Sequence, residues 1–416
     1  MVKNLLVGQS GGPTAVINAS LAGVIDYALN SGAVDTIYGM INGIEGLFEE
    51  NIMNLSEVFG KKRHRINRLK FTPAMYLGSC RFKLSNSDEE FEKIVKILKK
   101  YQIAYFVYIG GNDSMDTVKK LSDYVKKQNL DIKVVGVPKT IDNDLNGIDH
   151  SPGFGSAARF VATAVKNIAY DTSIYSIKSV HIIEAMGRNA GWLAASSVLA
   201  RDGNVSAAPH LIYLPELVFD IDKFVNDIKE KLETMNTVIV VVSEGVRDKE
   251  GNFIGAKSAN SDQFGHNILS GAAAYLKTVV ESRVGCKVRA LELSVLQRSF
   301  GNLSALTDVN EAFNLGMVAV KSALKGETGV FATLRRTSDV PYEITYGTED
   351  VSVIANTEKF VPREWINEAG NDVTDEMISY LKPLTVGVAQ MLYKNGLPDY
   401  IDISHLDSRQ QKYNNS

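Results

Sequence analysis

Twice in this chain a short apolar run meets a glycine-rich turn that opens onto a segment of helical periodicity, and this repeated unit limits the fold more than any other feature. Val2 to Val7 leads into GQSGGPTAVIN (Gly8 to Asn18) and a helix expected over Ala15 to Leu29. Ile103 to Ile109 leads into GGNDS (Gly110 to Ser114) and a helix over Met115 to Lys127, after which Ile132 to Val137 reads as a further strand. Strands that alternate with helices form parallel βαβ units with right-handed crossovers, and such units build an open, doubly wound sheet. Loops leaving the carboxyl ends of those strands share one sheet edge, where such folds bind ligands. Both glycine loops belong to that edge by construction. So does PKTIDND (Pro138 to Asp144), which follows the next strand.

A second series begins after HSPGFGS (His150 to Ser156), with a helix near Ala157 to Tyr170, a strand at Ser179 to Glu184, a helix at Ala190 to Leu199, and strands near Leu211 to Leu214 and Thr237 to Val242. With 416 residues and no low-complexity spacer, the chain is expected to form two closely packed α/β domains. The expected fold class is two Rossmann-like three-layer domains with mostly parallel sheets and an active site in the cleft between them. Beyond about Gly301 the pattern blurs, and the closing RQQKYNNS (Arg409 to Ser416) is polar enough to fray.

Composition narrows the classes of function. Apolar residues at 45% and charged residues at 22% fit a folded protein rather than a disordered or collagen-like one. No apolar run approaches the roughly 20 residues that span a bilayer. The start MVKNLLVG is too short in apolar residues for a secretory signal, so a cytoplasmic location is expected, with no membrane partner. A net charge of −3 gives no footprint for nucleic acid. The one basic run, Lys61 to Arg65, reads as a solvated face or as the lining of an anion pocket. Cys80 and Cys286 offer neither metal-ligand spacing nor a disulfide framework.

The three loops carry the candidate chemistry. Gly11 and Gly12 would let backbone N–H groups approach an anion, although paired glycines are also common in tight turns. Neither the Walker pattern nor G-x-G-x-x-G is present. Asn112 and Asp113 add oxygen ligands of the kind Mg²⁺ requires, or else cap the following helix. In PKTIDND, Asp142 and Asp144 could divide proton acceptance and metal or loop support, while Lys139 supplies a compact positive charge to a phosphoryl group. By itself such a loop is an Asx-rich turn. Three anion- or metal-suited loops on one edge favour phosphoryl transfer.

Taken in order, GGPTAVIN (Gly11 to Asn18), LGSCR (Leu77 to Arg81), GGNDS, PKTIDND, MGR (Met186 to Arg188), SEG (Ser243 to Gly245) and LQR (Leu296 to Arg298) resemble the 6-phosphofructokinase family over about residues 1 to 320. That resemblance implies phosphorylation of fructose 6-phosphate at the 1-hydroxyl. Asp113 and Lys139 replace glycines of the ATP-type pattern, which looks like the pyrophosphate-dependent branch. It further implies Asp142 as proton acceptor aided by Asp113 and Lys139. Thr140, Ile141, Asp142, Met186, Gly187, Arg188, Glu244, Arg289, Val295 and Arg298 would bind fructose 6-phosphate. Gly11, Gly12, Arg81, Gly111 and Lys139 would bind pyrophosphate, and Asn112 and Asp113 would hold Mg²⁺, with Asp144 a further candidate ligand. A homodimer or homotetramer is expected, because such sites borrow arginines from a neighbouring subunit. Residues 1–152 with roughly 297–355 would form the donor domain, and 153–296 with the C-terminal segment the sugar-phosphate domain.

Three positions depart from the family pattern. Asn112 stands where an Asp more often ligates Mg²⁺, Val295 replaces a Tyr or His, and Ser179 lies where ATP-type enzymes place an Arg. An ATP-dependent phosphofructokinase and a catalytically silent sugar-phosphate sensor are the alternatives to the pyrophosphate-linked enzyme.

Overall fold

The computed structural model describes residues 3–85, 87–202, 204, 207–255, 271–354 and 357–406. Met1, Val2 and the polar tail from Arg409 to Ser416 lie outside the described residues. In chain order the main strands are β1 (Asn4–Gln9), β2 (Ile37–Met40), β3 (Ile52–Asn54), β4 (Ile103–Gly110), β5 (Lys133–Pro138), β6 (Ser179–Ala185), β7 (Leu211–Tyr213), β8 (Thr237–Ser243), β9 (Lys287–Glu292), β10 (Val330–Asp339) and β11 (Tyr342–Asp350).

They sort into two sheets. The first has the order β11-β10-β5-β4-β1-β2-β3 and the second β7-β8-β6-β9. Every pairing in the second sheet is parallel. In the first, only β3 and β11 run antiparallel to their neighbours, one at each edge. β1, β4 and β5 are adjacent, so the glycine loops and PKTIDND emerge side by side, as the repeated unit requires.

Side-chain alternation explains the layering. Val180 and Ile182 of β6, with Val238, Val240 and Val242 of β8, face one core, together with Phe224 and Ile228 of the helix Ile221–Thr234 and Leu276 of the helix Ala272–Val284. Ile183, Ala185, Ile239 and Val241 face the opposite core, against Phe154 and Val161 of the helix Phe154–Ser173. Strands buried on both faces read as unbroken apolar runs, and helices on both sides give three layers.

The region where the sequence pattern blurs contains the helix Leu306–Leu324 and the hairpin β10–β11. Asp308, Glu311 and Ser322 lie on the buried face of that helix, which dilutes its apolar period. It packs tightly on the helix Ile17–Ser31. A Cβ on Gly23 would lie 1.9 Å from the Phe313 carbonyl oxygen, and one on Gly316 would lie 2.1 Å from that of Ser20.

The expected assignment of the whole C-terminal segment to the second domain needs correction. Val361, Ile366, Met377, Leu381 and Leu384 belong to the second core. Ile401 returns to the first core, with Leu406 packed against it. The crossing follows from where apolar side chains find cover, which sequence order does not encode.

Candidate active site

A cavity of about 770 Å³ opens where the carboxyl ends of β1, β4 and β5 face those of β6 and β8. The first wall is the glycine turn. Gly11 has a φ of 79°, a left-handed value suited to glycine, and its carbonyl accepts the Ser79 hydroxyl at 2.7 Å. A Cβ at Gly11 would lie 3.0 Å from Lys139 Nζ, and one at Gly12 would lie 3.4 Å from Arg298 Nη1. Two cations from distant segments thus converge on the glycine pair.

Gly111, Asn112 and Asp113 form the neighbouring wall, at the start of the helix Asn112–Lys127. Gly111 occupies the cap position, and no side chain caps this helix, so neither Asn112 nor Asp113 takes the capping role. The helix N-terminus therefore presents its N–H groups and its positive dipole end to the cavity. Asp113 stands 3.5 Å from Lys83, and both are substantially exposed.

PKTIDND leaves β5 and crosses the cleft. Thr140 bridges to Gly153, and Ile141 embeds in the second core. Asp142 N–H donates to Thr140 Oγ1 at 3.1 Å, which fixes the turn that carries the carboxylate. Burial raises the Asp142 pKa, against the opposing pull of Lys139 and Arg188. Burial, and then the Asp142 charge, pushes Asp144 up to about 7. Burial pulls Lys139 down to about 8, with Asp142 and Asp144 resisting, so its ammonium remains charged at neutral pH.

The far wall comes from the second sheet. Ala185 and Ser243 are in register on β6 and β8, so MGR and SEG leave together. Gly187 N–H donates to Glu244 Oε1 at 3.2 Å, and the Ser243 hydroxyl donates to the Gly187 carbonyl at 2.6 Å. Burial, and then Asp142, pushes Glu244 up to about 7. Arg298 Nε is buried with no hydrogen-bond partner among the described residues, an open donor on a cation that lines the cavity.

The fold brings together most of the residues singled out in the sequence. Gly11, Gly12, Arg81, Gly111, Asn112, Asp113, Lys139, Thr140, Asp142, Asp144, Met186, Arg188, Glu244 and Arg298 all line the one cavity. Others stand apart within a single chain. Arg289 is exposed on β9, paired in register with His181, and Val295 is 50% exposed; neither lines the cavity. Ile141 is committed to the second core and Gly187 to its backbone contacts, so neither presents a side chain to a ligand there. Glu358, Phe360 and Asn189 also line the cavity without having been singled out. Glu358 and Phe360 come from the stretch whose pattern blurs, with no motif to mark them, whereas Asn189 directly follows MGR and could have been read from that adjacency.

Two parallel-sheet domains that face each other across glycine turns, buried carboxylates and converging cations define an α/β protein built to hold small polyanions. The chain belongs to the phosphofructokinase family, whose profile matches residues 4–323. It is 36% identical over 410 residues to the pyrophosphate–fructose 6-phosphate 1-phosphotransferase of Methylococcus capsulatus, an alignment covering 97% of this chain and 96% of that one. The pyrophosphate-dependent phosphofructokinase of Nitrosospira multiformis has a crystal structure that matches with a TM-score of 0.85 at 36% identity, covering 96% of each chain. That of Marinobacter aquaeolei matches with a TM-score of 0.86 at 33% identity, covering 96% of this chain and 95% of its own.

Proposed function

We propose that this protein transfers a phosphoryl group reversibly from pyrophosphate to the 1-hydroxyl of fructose 6-phosphate, giving fructose 1,6-bisphosphate and phosphate. The observation that carries this reading is the placement of Asp113 and Lys139 in the same cavity as Asp142, on adjacent loops. A carboxylate at Asp113 repels the α-phosphate of ATP, while the buried Lys139 ammonium compensates for the missing nucleoside contacts. Asp142 accepts the proton of the 1-hydroxyl as its oxygen attacks the terminal phosphorus. The bond to the bridging oxygen breaks, and Lys139 neutralises charge on the departing phosphate. Arg188, Glu244 and Thr140 hold the sugar, and Arg298, joined by Arg289 from a neighbouring subunit, grips the 6-phosphate.

Magnesium fits this donor set. Mg²⁺ takes one or two protein carboxylates and completes its shell with water and phosphate oxygens, so the absence of a three-ligand His/Cys/Asp/Glu cluster among the described residues is no obstacle. Burial, and then the Asp142 charge, pushes Asp144 up to about 7, and a divalent cation would relieve the part that comes from the two neighbouring carboxylates. Asn112 and Asp113, with Asp144 beside them, would hold the ion, which when bound would neutralise pyrophosphate oxygens.

Among the described residues no helix is long and apolar enough to cross a membrane. The test is a coupled assay with purified protein, fructose 6-phosphate and Mg²⁺, supplied with either pyrophosphate or ATP. Turnover with pyrophosphate and little with ATP is expected. Turnover with ATP alone refutes the donor assignment, and turnover with neither refutes the enzyme.

A further inference from the structure

The stretch from Thr357 to Val361 lies beyond the part of the chain matched by the family profile, yet it touches both walls of the cleft. The Thr357 carbonyl accepts from Asn112 Nδ2 at 3.0 Å, Glu358 accepts from Asn189 Nδ2 at 2.9 and 3.1 Å, and Val361 N–H donates to Glu216 Oε1 at 3.0 Å. Between them Lys359 grips PKTIDND and the turn that follows it. Its N–H donates to the Asp144 carbonyl at 2.7 Å. Its ammonium faces three oxygens: the Asp149 carbonyl at 2.7 Å, and Asn143 Oδ1 and the Ile148 carbonyl at 3.4 Å each.

Asn143 stands between Asp142 and Asp144, fully buried, with a φ of 55°. Asparagine visits that left-handed region more readily than most residues with a Cβ, and it stays there when its surroundings hold it. Here they do. Asn143 Nδ2 donates to the Tyr380 hydroxyl at 2.9 Å, Oδ1 accepts Ser151 N–H at 3.0 Å, and the Tyr380 hydroxyl donates onward to the Asp149 carbonyl at 2.9 Å. The direction in which Asp142 enters the cavity depends on this turn.

We propose that Lys359 is a positioning residue for the reaction, holding the Asn143 turn so that Asp142 meets the reacting hydroxyl, with Tyr380 as a second pin. The side-chain chemistry fits that task. An ammonium has three N–H donors on one atom and can serve three converging oxygens, which the planar fork of an arginine does not match. Lys359 does not line the cavity and acts through the loop. The inference rests on the assignment of Asp142 as base.

Lys359→Met retains the aliphatic stem and removes the donors, and Tyr380→Phe retains the ring while removing the hydroxyl. For Lys359→Met, kcat should fall roughly 10–100-fold with both KM values within about threefold, since a misplacement near 1 Å can cost that much. Tyr380→Phe should follow with a smaller loss of about 3–10-fold. Combined with Asn143→Gly, which deletes the anchored side chain but tolerates the φ, Lys359→Met should lose far less than the product of the single losses. Hydrogen exchange in the peptide 139–149 of the unliganded protein should quicken at least about tenfold in Lys359→Met. Normal kcat in both single variants, a raised KM at unchanged kcat, or multiplicative losses in the double variant would each overturn the proposal. If the wild-type protein does not use pyrophosphate, exchange alone decides: a faster loop sustains the pin while the functional reading falls, and an unchanged loop removes both.

Discussion

Asp142 is expensive to keep where it is. Its carboxylate is half-buried, its charge and that of Asp144 repel each other, and its pKa is raised by desolvation against the pull of Lys139 and Arg188. Asp142→Asn should therefore lower kcat by at least about 10²-fold, the lower range for a lost general base, while leaving the thermal midpoint unchanged or higher. A variant that turns over normally, or that unfolds before it can be assayed, would contradict this assignment. Asp113→Gly removes charge from the donor end and should raise kcat/KM for ATP about tenfold, corresponding to about 1.4 kcal/mol of relieved repulsion. Steady-state rates with both donors check it, and an unchanged ATP rate would refute the repulsion argument. At this scale the sequence is most legible where chemistry sits on short loops after strands: Lys139, Asp142 and Asp113 needed only the glycine-loop pattern to be placed on one edge. Arg289 and Val295 are different. Nothing in spacing marks them, only family resemblance does, and one chain alone does not bring them to the cavity. Glu358 and Lys359 escape sequence reasoning because their partners lie about 170 to 220 residues away in the chain, as the pairs Glu358–Asn189 and Lys359–Asn143 illustrate.

Among the elements, the helix Leu306–Leu324 does the most to join parts of the fold that the sequence leaves separate. Its Glu311 receives His150 Nε2 at 2.6 Å and the Tyr342 hydroxyl at 2.7 Å, while His150 Nδ1 lies 2.8 Å from Asp149. Burial pulls the His150 imidazolium down, but Glu311 and Asp149 outweigh it and push the pKa up to about 9 from its ordinary 6.5. A raised pKa means that the folded state keeps a proton which the unfolded chain releases. The stabilisation is complete below about pH 6.5 and is lost as the pH rises to about 9, at most about 3 kcal/mol over that window. Urea midpoints should fall across this range in the wild-type protein and fall less in His150→Gln. Equal falls in both would show that the triad is not the source. The same helix meets Ile17–Ser31 at backbone distance, so Gly316→Ala, whose Cβ would lie 2.1 Å from the Ser20 carbonyl oxygen, should cost about 1–3 kcal/mol or more, measured as a lower midpoint. This helix was hard to read because its buried face is partly polar, and its buried carboxylates are satisfied by tertiary partners: the Gly153 and Ser156 N–H groups donate to Asp308, as His150 and Tyr342 meet Glu311.

For the molecule as a whole, the two-domain plan was legible from the repeated strand, glycine turn and helix, whereas the path of the chain between domains was not. The exposure of Arg289, away from its own cavity, fits a site completed across a subunit boundary. Mixing and refolding Asp142→Asn with Arg289→Ala, each impaired alone, should restore about a quarter of wild-type activity if half of the dimers are mixed and each carries one intact site. No recovery would show that Arg289 does not act across the subunit boundary. The path of the chain has a further consequence for how the protein is made. β10 seats against β5 only after the entire second sheet has been synthesised, and Ile401 closes the first core almost at the end. At about 5–20 residues per second, β5 waits roughly 10–40 s on the ribosome with one edge open, while the later sheet already has all its strands. The half of the molecule that begins first is thus finished last. Nascent chains stalled before β10 should be the ones that chaperones hold, and the C-terminal residues decide when they let go.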